Sequence, residues 1–387
     1  MSSNPLLDGI TVLNLASVGP AARAGRWLAD YGADVVQIGP TSRKGAVQIK
    51  PPFFSYSAGR GLKRAQIDLK DPQGLEAFLR LASEADVIIE SFRPGVAARI
   101  GIGYDAVRRL NERVVYCATS GYGQAGPYSQ WAGHDINYLA IGGFLDCTTP
   151  RQDGGQPIPG ATVADSAAGG MQAVVAILAA LLHRERSGEG QFLDVCVADA
   201  VLSLMSQQID EYLAIGTLPG PGSNILTGRY ACYDCYPARD GGWVSVGVVE
   251  PHFFANLCRA LDLEHFIPYQ HDDDRQDEIR AAFREKFLTK DRDTWVAELA
   301  PASCCVAPVY SVPEVVEDEH YRARGVWLEA EDEEHGRFRQ LAPTFGGAWR
   351  DQALHRVREG TDTAALLARA GYARDEIDKL LEAGAVE

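Results

Sequence analysis

Along the first half of the chain, short runs rich in β-branched residues alternate with stretches whose apolar positions recur every three to four residues. The runs 10-ITVLNLA-16, 33-ADVVQIG-39, 86-DVIIESF-92, 113-RVVYCATS-120 and 191-QFLDVCV-197 read as buried strands. Residues 23–32, 71–85, 105–112 and about 166–185 have helical spacing between them. The second of these opens with Asp71 as a cap and Pro72 at the first helical position, a start signal in its own right. After the last strand, Ala198 to about Ile215 reads as one helix. Strand–helix alternation of this kind predicts an α/β fold. A Rossmann-like parallel sheet carries helices on both faces and opens its ligand crevice at the carboxyl ends of the strands.

The pattern changes at 216-GTLPGPGSN-224, which is dense in Gly and Pro. Beyond it, strands such as 242-GWVSVGVV-249 mix with amphipathic helices. The predicted organisation is a large domain over 1–200, completed by 335–387, with a linker helix and loop at 201–224. A smaller α+β domain over 225–318 and a return linker at 319–334 complete it. The tail reads as two short helices, one capped by Thr361 or Asp362 and the other by Asp375. The longest apolar run, Met171 to Leu182, is too short to span a bilayer and reads as a buried helix. There is no internal repeat.

Composition narrows the function classes. The chain has 387 residues, a hydrophobic fraction of 46% and a net charge of −15. Nucleic acid and anionic membranes need a basic face, so neither is an expected partner, whereas a local basic pocket can still hold a small anion. The start, MSSNPLLDGITVLNL, lacks a basic segment followed by an apolar core, and a cytoplasmic location is expected. Cys232 and Cys235 form one CxxC, but the adjacent Cys304 and Cys305 do not supply a second pair at zinc-site spacing. The eight cysteines read as ordinary thiols and no metal is expected.

Chemistry concentrates in four places. In 131-WAGHDINYLAIGGFL-145, His134 and Asp135 follow a glycine at a loop-to-helix junction, just past the glycine-rich 120-SGYGQAGPY-128. Asp165 precedes a long apolar helix, where an aspartate ordinarily caps free N–H groups. The same helix start offers N–H donors and a positive dipole end to a developing oxyanion. Gly169 and Gly170, one turn on, cost about 1 kcal/mol each relative to Ala and so signal a close approach by a ligand or a second backbone. Glu250 ends a strand before Pro251, where it could cap the next helix. Arg60, Lys63, Arg64 and Arg93 form a basic set that could clamp phosphates beside strand ends. The first βα turn, 17-SVGPAA-22, lacks GxGxxG, so NAD is not the expected ligand.

Over nearly its whole length the chain resembles the family III CoA transferase superfamily. The stretches 6-LLDGITVLNLASVGP-20, LADYGADVVQI, the run from SFRPGVAARIG to SGYGQAGPY, GEGQFLDV at 188–195 and PVYSVPEVVEDEHYRARG at 308–325 carry the likeness. AGHDINYLA at 132–140, VADSAAGG around Asp165 and VGVVEPHFF around Glu250 resemble the α-methylacyl-CoA racemase branch; the transferases mostly have Tyr or Phe where His134 stands. Gln37, in place of a frequent Arg, departs from that branch. The resemblance implies epimerisation at the α-carbon of a 2-methylacyl-CoA, with His134 and Asp165 as the two bases. Glu250 or Asp135 would orient His134, and backbone N–H groups at the Asp165 helix start would hold the enolate. It also implies CoA contacts from Arg60, Lys63, Arg64, Arg93 and Tyr138, no cofactor beyond the CoA of the substrate, and an interlocked homodimer. The alternative it leaves open is a CoA transferase, with Asp165 as the nucleophile; a third is an acyl-CoA binding protein without catalysis.

Overall fold

The computed structural model describes residues 5–42, 52–343, 354–357 and 360–387. They form two compact units. One takes the chain up to Gly142, then Pro159–Met205 and everything from Arg322; the other takes Gly143–Ile158 and Ser206–Tyr321. The segment 143–158, which the sequence pattern leaves inside the large domain, therefore groups with the second unit, and the return point lies at 322.

The first unit is built on six parallel strands in the order β3-β2-β1-β4-β5-β6: β1 (Thr11–Asn14), β2 (Asp34–Gly39), β3 (Leu62–Gln66), β4 (Val87–Glu90), β5 (Val115–Ser120) and β6 (Gln191–Cys196). The Rossmann-like expectation holds. The period-2 alternation of the strands divides the core in two. Val12, Val35, Val87, Ile89, Val115 and Cys117 point to one face, where α1 (Gly19–Asp30) and α6 (Gln172–Ser187) pack. Leu13, Val36, Ile88 and Tyr116 point to the other, with α2 (Pro72–Ala82), α3 (Val96–Arg99), α4 (Tyr104–Arg108) and the C-terminal helices. Asp71 caps α2 as expected, accepting the Gln73 N–H at 2.9 Å.

Several boundaries differ from the pattern for identifiable reasons. Strand β3 is hidden in the sequence because its Leu-Lys-Arg-Ala-Gln lies on the sheet edge, where only Ala65 of the five is buried. The helix expected over 198–215 breaks at Met205 into α7 (Val197–Leu204) and α8 (Ser206–Ile215), the point at which the chain passes between units. Of the two tail helices, the first is capped at Asp362, whereas the second starts at Ala373, whose N–H donates to Glu376; Asp375 is inside the helix rather than its cap. The apolar run around 171–182 is part of a continuous helix, Ala164–Ser187, of 24 residues. That is long and apolar enough to cross a bilayer, but Ala173, Ile177, Ala180 and Leu181 are buried in the core and Arg184 is buried against Asp86 at 2.9 Å. It is a core helix.

The second unit is an antiparallel sheet, β7 (Tyr233–Pro237), β8 (Trp243–Gly247) and β9 (Val306–Pro308). Phe254 on α9 (Pro251–Ala260), Phe283 and Phe287 on α10 (Gln276–Phe287) and Trp295 on α11 (Arg292–Leu299) pack around buried Tyr236. Cys232 is buried in this core and Cys235 is exposed, so the CxxC does not converge; all eight cysteines are unbridged.

The first eight residues of the Ala164–Ser187 helix are wound as a π-helix, Ala164–Met171. This widened turn presses on α1. A methyl added at Gly169 would stand 2.7 Å from Pro20 Cβ and 3.0 Å from Val197 Cγ2; one at Gly170 would stand 2.9 Å from the Trp27 ring. The close approach signalled by the two glycines is thus that of α1 and α7, not of a ligand. Gly169→Ala, which in an open helix would stabilise by up to about 1 kcal/mol, should here destabilise by about 1–3 kcal/mol in urea unfolding. A neutral or stabilising outcome would mean that the two helices are not in this contact.

Candidate active site

The order β3-β2-β1-β4-β5-β6 reverses between β1 and β4, so the crevice for a ligand lies at the carboxyl ends of these two strands. Asn14 ends β1 buried: its Nδ2 donates to Ala21 O at 3.0 Å and its Oδ1 accepts the Ala16 N–H at 3.1 Å. These bonds turn the chain directly into α1, which carries Arg23 near its start. Its guanidinium donates to Thr162 Oγ1 at 2.7 Å and lies 3.7 Å from Asp165 Oδ2.

Asp165 sits in the first turn of the π segment; Val163, not Asp165, is the N-cap, and it has no side-chain cap bond. The carboxylate is thereby left for other work. Burial raises its pKa, Arg23 and His134 oppose the rise and Asp135 adds to it, and the net direction is upward. A higher pKa makes the ionised carboxylate a stronger base. The charge of His134 acts on this carboxylate although thirty-one positions separate the two in the chain.

His134 is the N-cap of α5 (Asp135–Ile141), in extended geometry with φ −128° and ψ 174°. Its N–H donates to Asn137 Oδ1 at 3.0 Å and its carbonyl accepts the Asn137 N–H at 2.8 Å. These two bonds hold the backbone and leave the imidazole exposed; among the described residues, neither ring nitrogen has a hydrogen-bond partner. Asp135 does not orient that ring. Its Oδ1 accepts the Asp165 N–H at 2.8 Å, lashing the start of α5 to the start of the π segment. The same bond corrects the expected oxyanion support. The N–H groups of Asp165 and Ser166 are both already engaged, the latter by Thr162 O at 3.0 Å.

Tyr138 is a strut rather than a CoA contact. It is 8% exposed, its hydroxyl donates to Gly133 O at 2.7 Å, and its ring fills the space beside Gly121 and Gly133 that any Cβ there would enter. Burial pushes its pKa up to about 12. Glu250 belongs to the second unit, exposed at the N-cap of α9 with no side-chain cap bond.

The basic set separates. Arg60 is buried, ion-paired with Asp30 at 2.8 Å and bonded to Leu341 O at 2.8 Å; Lys63 pairs with Asp34 at 2.8 Å. Both lie at the amino end of β3, opposite the crevice, and each shares its carboxylate with a further arginine, Arg26 at Asp30 and Arg369 at Asp34. Arg64 is exposed on the same edge strand, its main chain bonded to Asp362. Arg93 alone of the four follows the carboxyl end of β4, exposed in a turn and without an acidic partner among the described residues.

Sequence reasoning passed over two residues. Arg23 could have been found from its place directly after the first βα turn, near the start of α1. Glu90 ends the buried strand β4 and is itself 4% exposed; its carboxylate accepts the Phe92 N–H at 2.6 Å. Burial raises its pKa to about 7, against the lowering effect of that N–H. Among the described residues no group of three or more His, Cys, Asp or Glu could hold a metal ion.

Comparisons with known proteins show the family. A family model described as CoA-transferase family III matches residues 7–356. The chain belongs to that family. It is 32% identical over 394 residues to an alpha-methylacyl-CoA racemase of Homo sapiens, covering 98% of this chain and 99% of the relative. It is also 32% identical over 350 residues to a succinate–glutarate CoA-transferase of Agrobacterium fabrum, covering 85% of this chain and 86% of that one. Among solved structures, a CaiB/BaiF family protein from Brucella suis superposes with a TM-score of 0.77 at 26% identity, over 95% of this chain and 100% of that one. Family members of both chemistries are thus about equally similar in identity.

Glu90 offers a test of the electrostatics. Its carboxyl is tolerated protonated in the fold, while the unfolded chain ionises it near 4.5. The burial penalty is therefore absent at low pH, grows as pH rises from about 4.5 and is complete above about 7, on the order of 3 kcal/mol at most. Glu90→Gln should gain stability relative to the parent protein as pH rises from 5 to 8 in paired thermal melts. A difference that stays flat with pH would mean that Glu90 titrates like an exposed carboxyl.

Proposed function

We propose that the protein inverts the α-carbon of a 2-methylacyl-CoA thioester. The observation that carries this reading is the 2.8 Å hydrogen bond by which Asp135, the residue after His134, accepts the Asp165 N–H and so draws the two helix starts together. One group removes the α-proton and the electron pair passes to the thioester oxygen. The conjugate acid of the other returns a proton to the opposite face, and the electron pair comes back from oxygen to carbon. Two different bases suit inversion because each is in its working protonation state for one epimer. The carboxylate of raised pKa is matched to a weakly acidic proton, and Arg23, 3.7 Å away, favours its ionised form. Arg93 is the cation available to substrate phosphate at the carboxyl end of the sheet. The CoA arrives as part of the substrate and no further cofactor enters this scheme. The near full-length match to an alpha-methylacyl-CoA racemase supports it.

A second reading draws on the transferase relative and on the Arg23–Asp165 pair: Asp165 attacks the thioester carbonyl, releasing CoA thiolate and forming an acyl anhydride. One assay separates the two. A single epimer of a 2-methylacyl-CoA is incubated in deuterium oxide without an acceptor acid. Epimerisation predicts deuterium at the α-carbon with loss of configuration, and a loss of at least about 100-fold in His134→Ala and in Asp165→Ala. For the direction in which Asp165 is the base, rate falls as pH drops through its raised pKa. Asp135→Asn should move that acid limb to lower pH and Arg23→Met to higher pH. No exchange, together with a hydroxylamine-sensitive acyl-enzyme that needs Asp165 but not His134, would replace this reading with transfer.

We also propose that the protein is a homodimer. Met171, Val175 and Leu182 form an exposed apolar stripe on one unit, and on the other α8 has no buried residue, with Leu213 and Ile215 about three-quarters exposed. Sedimentation equilibrium at micromolar concentration should give a two-chain mass; a monomer would overturn the dimer.

A further inference from the structure

We propose that Tyr128 and Trp131 form the platform on which the apolar acyl part of the substrate lies, and so set its acyl preference. The inference rests on the thioester reading of the His134–Asp165 site. The two rings are stacked, with centroids 4.0 Å apart and planes at 27°, yet they are 44% and 54% exposed. Scattered exposed aromatics are ordinary, but this pair is braced. Tyr122 stands edge-on to both, at 6.3 and 6.0 Å, and edge-on to Tyr138 at 5.2 Å; Tyr138 in turn bonds to Gly133. The Trp131 N–H donates to Tyr128 O at 2.8 Å, and Gln130 Nε2 reaches Pro94 O, in the turn after β4, at 3.4 Å. The same struts therefore hold the platform and the His134 backbone.

Two observations decide the occupant. Trp131 is three residues before His134, so their Cα atoms are at most about 11 Å apart. The acyl group is bonded directly to the carbon that His134 attends, whereas the adenine lies beyond the whole of pantetheine and pyrophosphate. The stretch 120–133 also contains no Asp, Glu, Lys or Arg. A charge-free aromatic surface suits an apolar chain or ring. A flat face made of stacked indole and phenol favours acyl groups with a ring or similar bulk beyond the α-carbon.

The test is calorimetric binding of free CoA, 2-methylbutanoyl-CoA and a 2-arylpropanoyl-CoA, each acyl-CoA supplied as an equal mixture of epimers so that turnover changes nothing. Trp131→Ala should weaken the aryl ligand about tenfold and leave free CoA and the short ligand within about twofold; Trp131→Phe should restore most of the loss. Equal loss for all three ligands would assign the platform to the nucleotide, and loss of self-association in Trp131→Ala would assign it to a second copy of the chain. No change in any ligand would leave the acyl group elsewhere. Each of these three results overturns the proposal. Because binding is read without turnover, an absence of α-proton exchange would sink the epimerase reading while leaving the acyl-selective loss measurable.

Discussion

The hydrogen bond from the Asp165 N–H to the Asp135 carboxylate is the constraint on which the site depends. It joins two helix starts that approach from different parts of the first unit, and it occupies a main-chain donor in doing so. Without it, His134 and Asp165 would each be an ordinary polar residue near a helix end. With it, the imidazole and the carboxylate are close enough for one to shift the other's ionisation. Asp135 also adds negative charge beside Asp165, so a structural tie and an electrostatic adjustment come from one side chain.

The tie works because the backbone beneath it is held firmly. Gly169 and Gly170 let the π segment settle against Pro20 and Trp27, which brings Arg23 over Asp165. Asn14, buried at the end of β1, directs the chain into α1 and thus sets where Arg23 begins. Tyr138, locked by Gly121, Gly133 and its own hydrogen bond, fixes the turn that presents His134. Each of these residues acts at one remove from His134 and Asp165. Fixed geometry of this kind keeps two polar groups in place without reorganisation.

Charge is used sparingly at the carboxyl ends of the sheet. Although the chain carries a net charge of −15, the groups around the site are individually balanced: Arg23 against Asp165, and buried Glu90 against a backbone N–H. Two cations of the basic set, Arg60 and Lys63, are instead held in ion pairs with Asp30 and Asp34 at the far end of the strands. Partly buried pairs of this sort tie β3 and the residue before it to the end of α1 and the start of β2.

Five of the six strands of the large sheet, its parallel topology and the residue types of the site were legible in the chain alone. A buried parallel strand must be apolar on both faces, and an Asp-Pro pair or a glycine punctuates a helix whatever the fold around it. Strand β3 escaped notice because an edge strand need not be apolar. The partners of Asp135, Tyr138, Arg60 and Lys63 escaped because a side chain's neighbour is set by packing between segments far apart in sequence. A carboxylate beside a helix start reads identically whether it caps that helix, orients a histidine or binds another helix's N–H. The chain by itself determined which chemical groups would be present and on which elements. Only the tertiary structure decided which of them meet, because short-range periodicity fixes the face of an element and not what that face is pressed against.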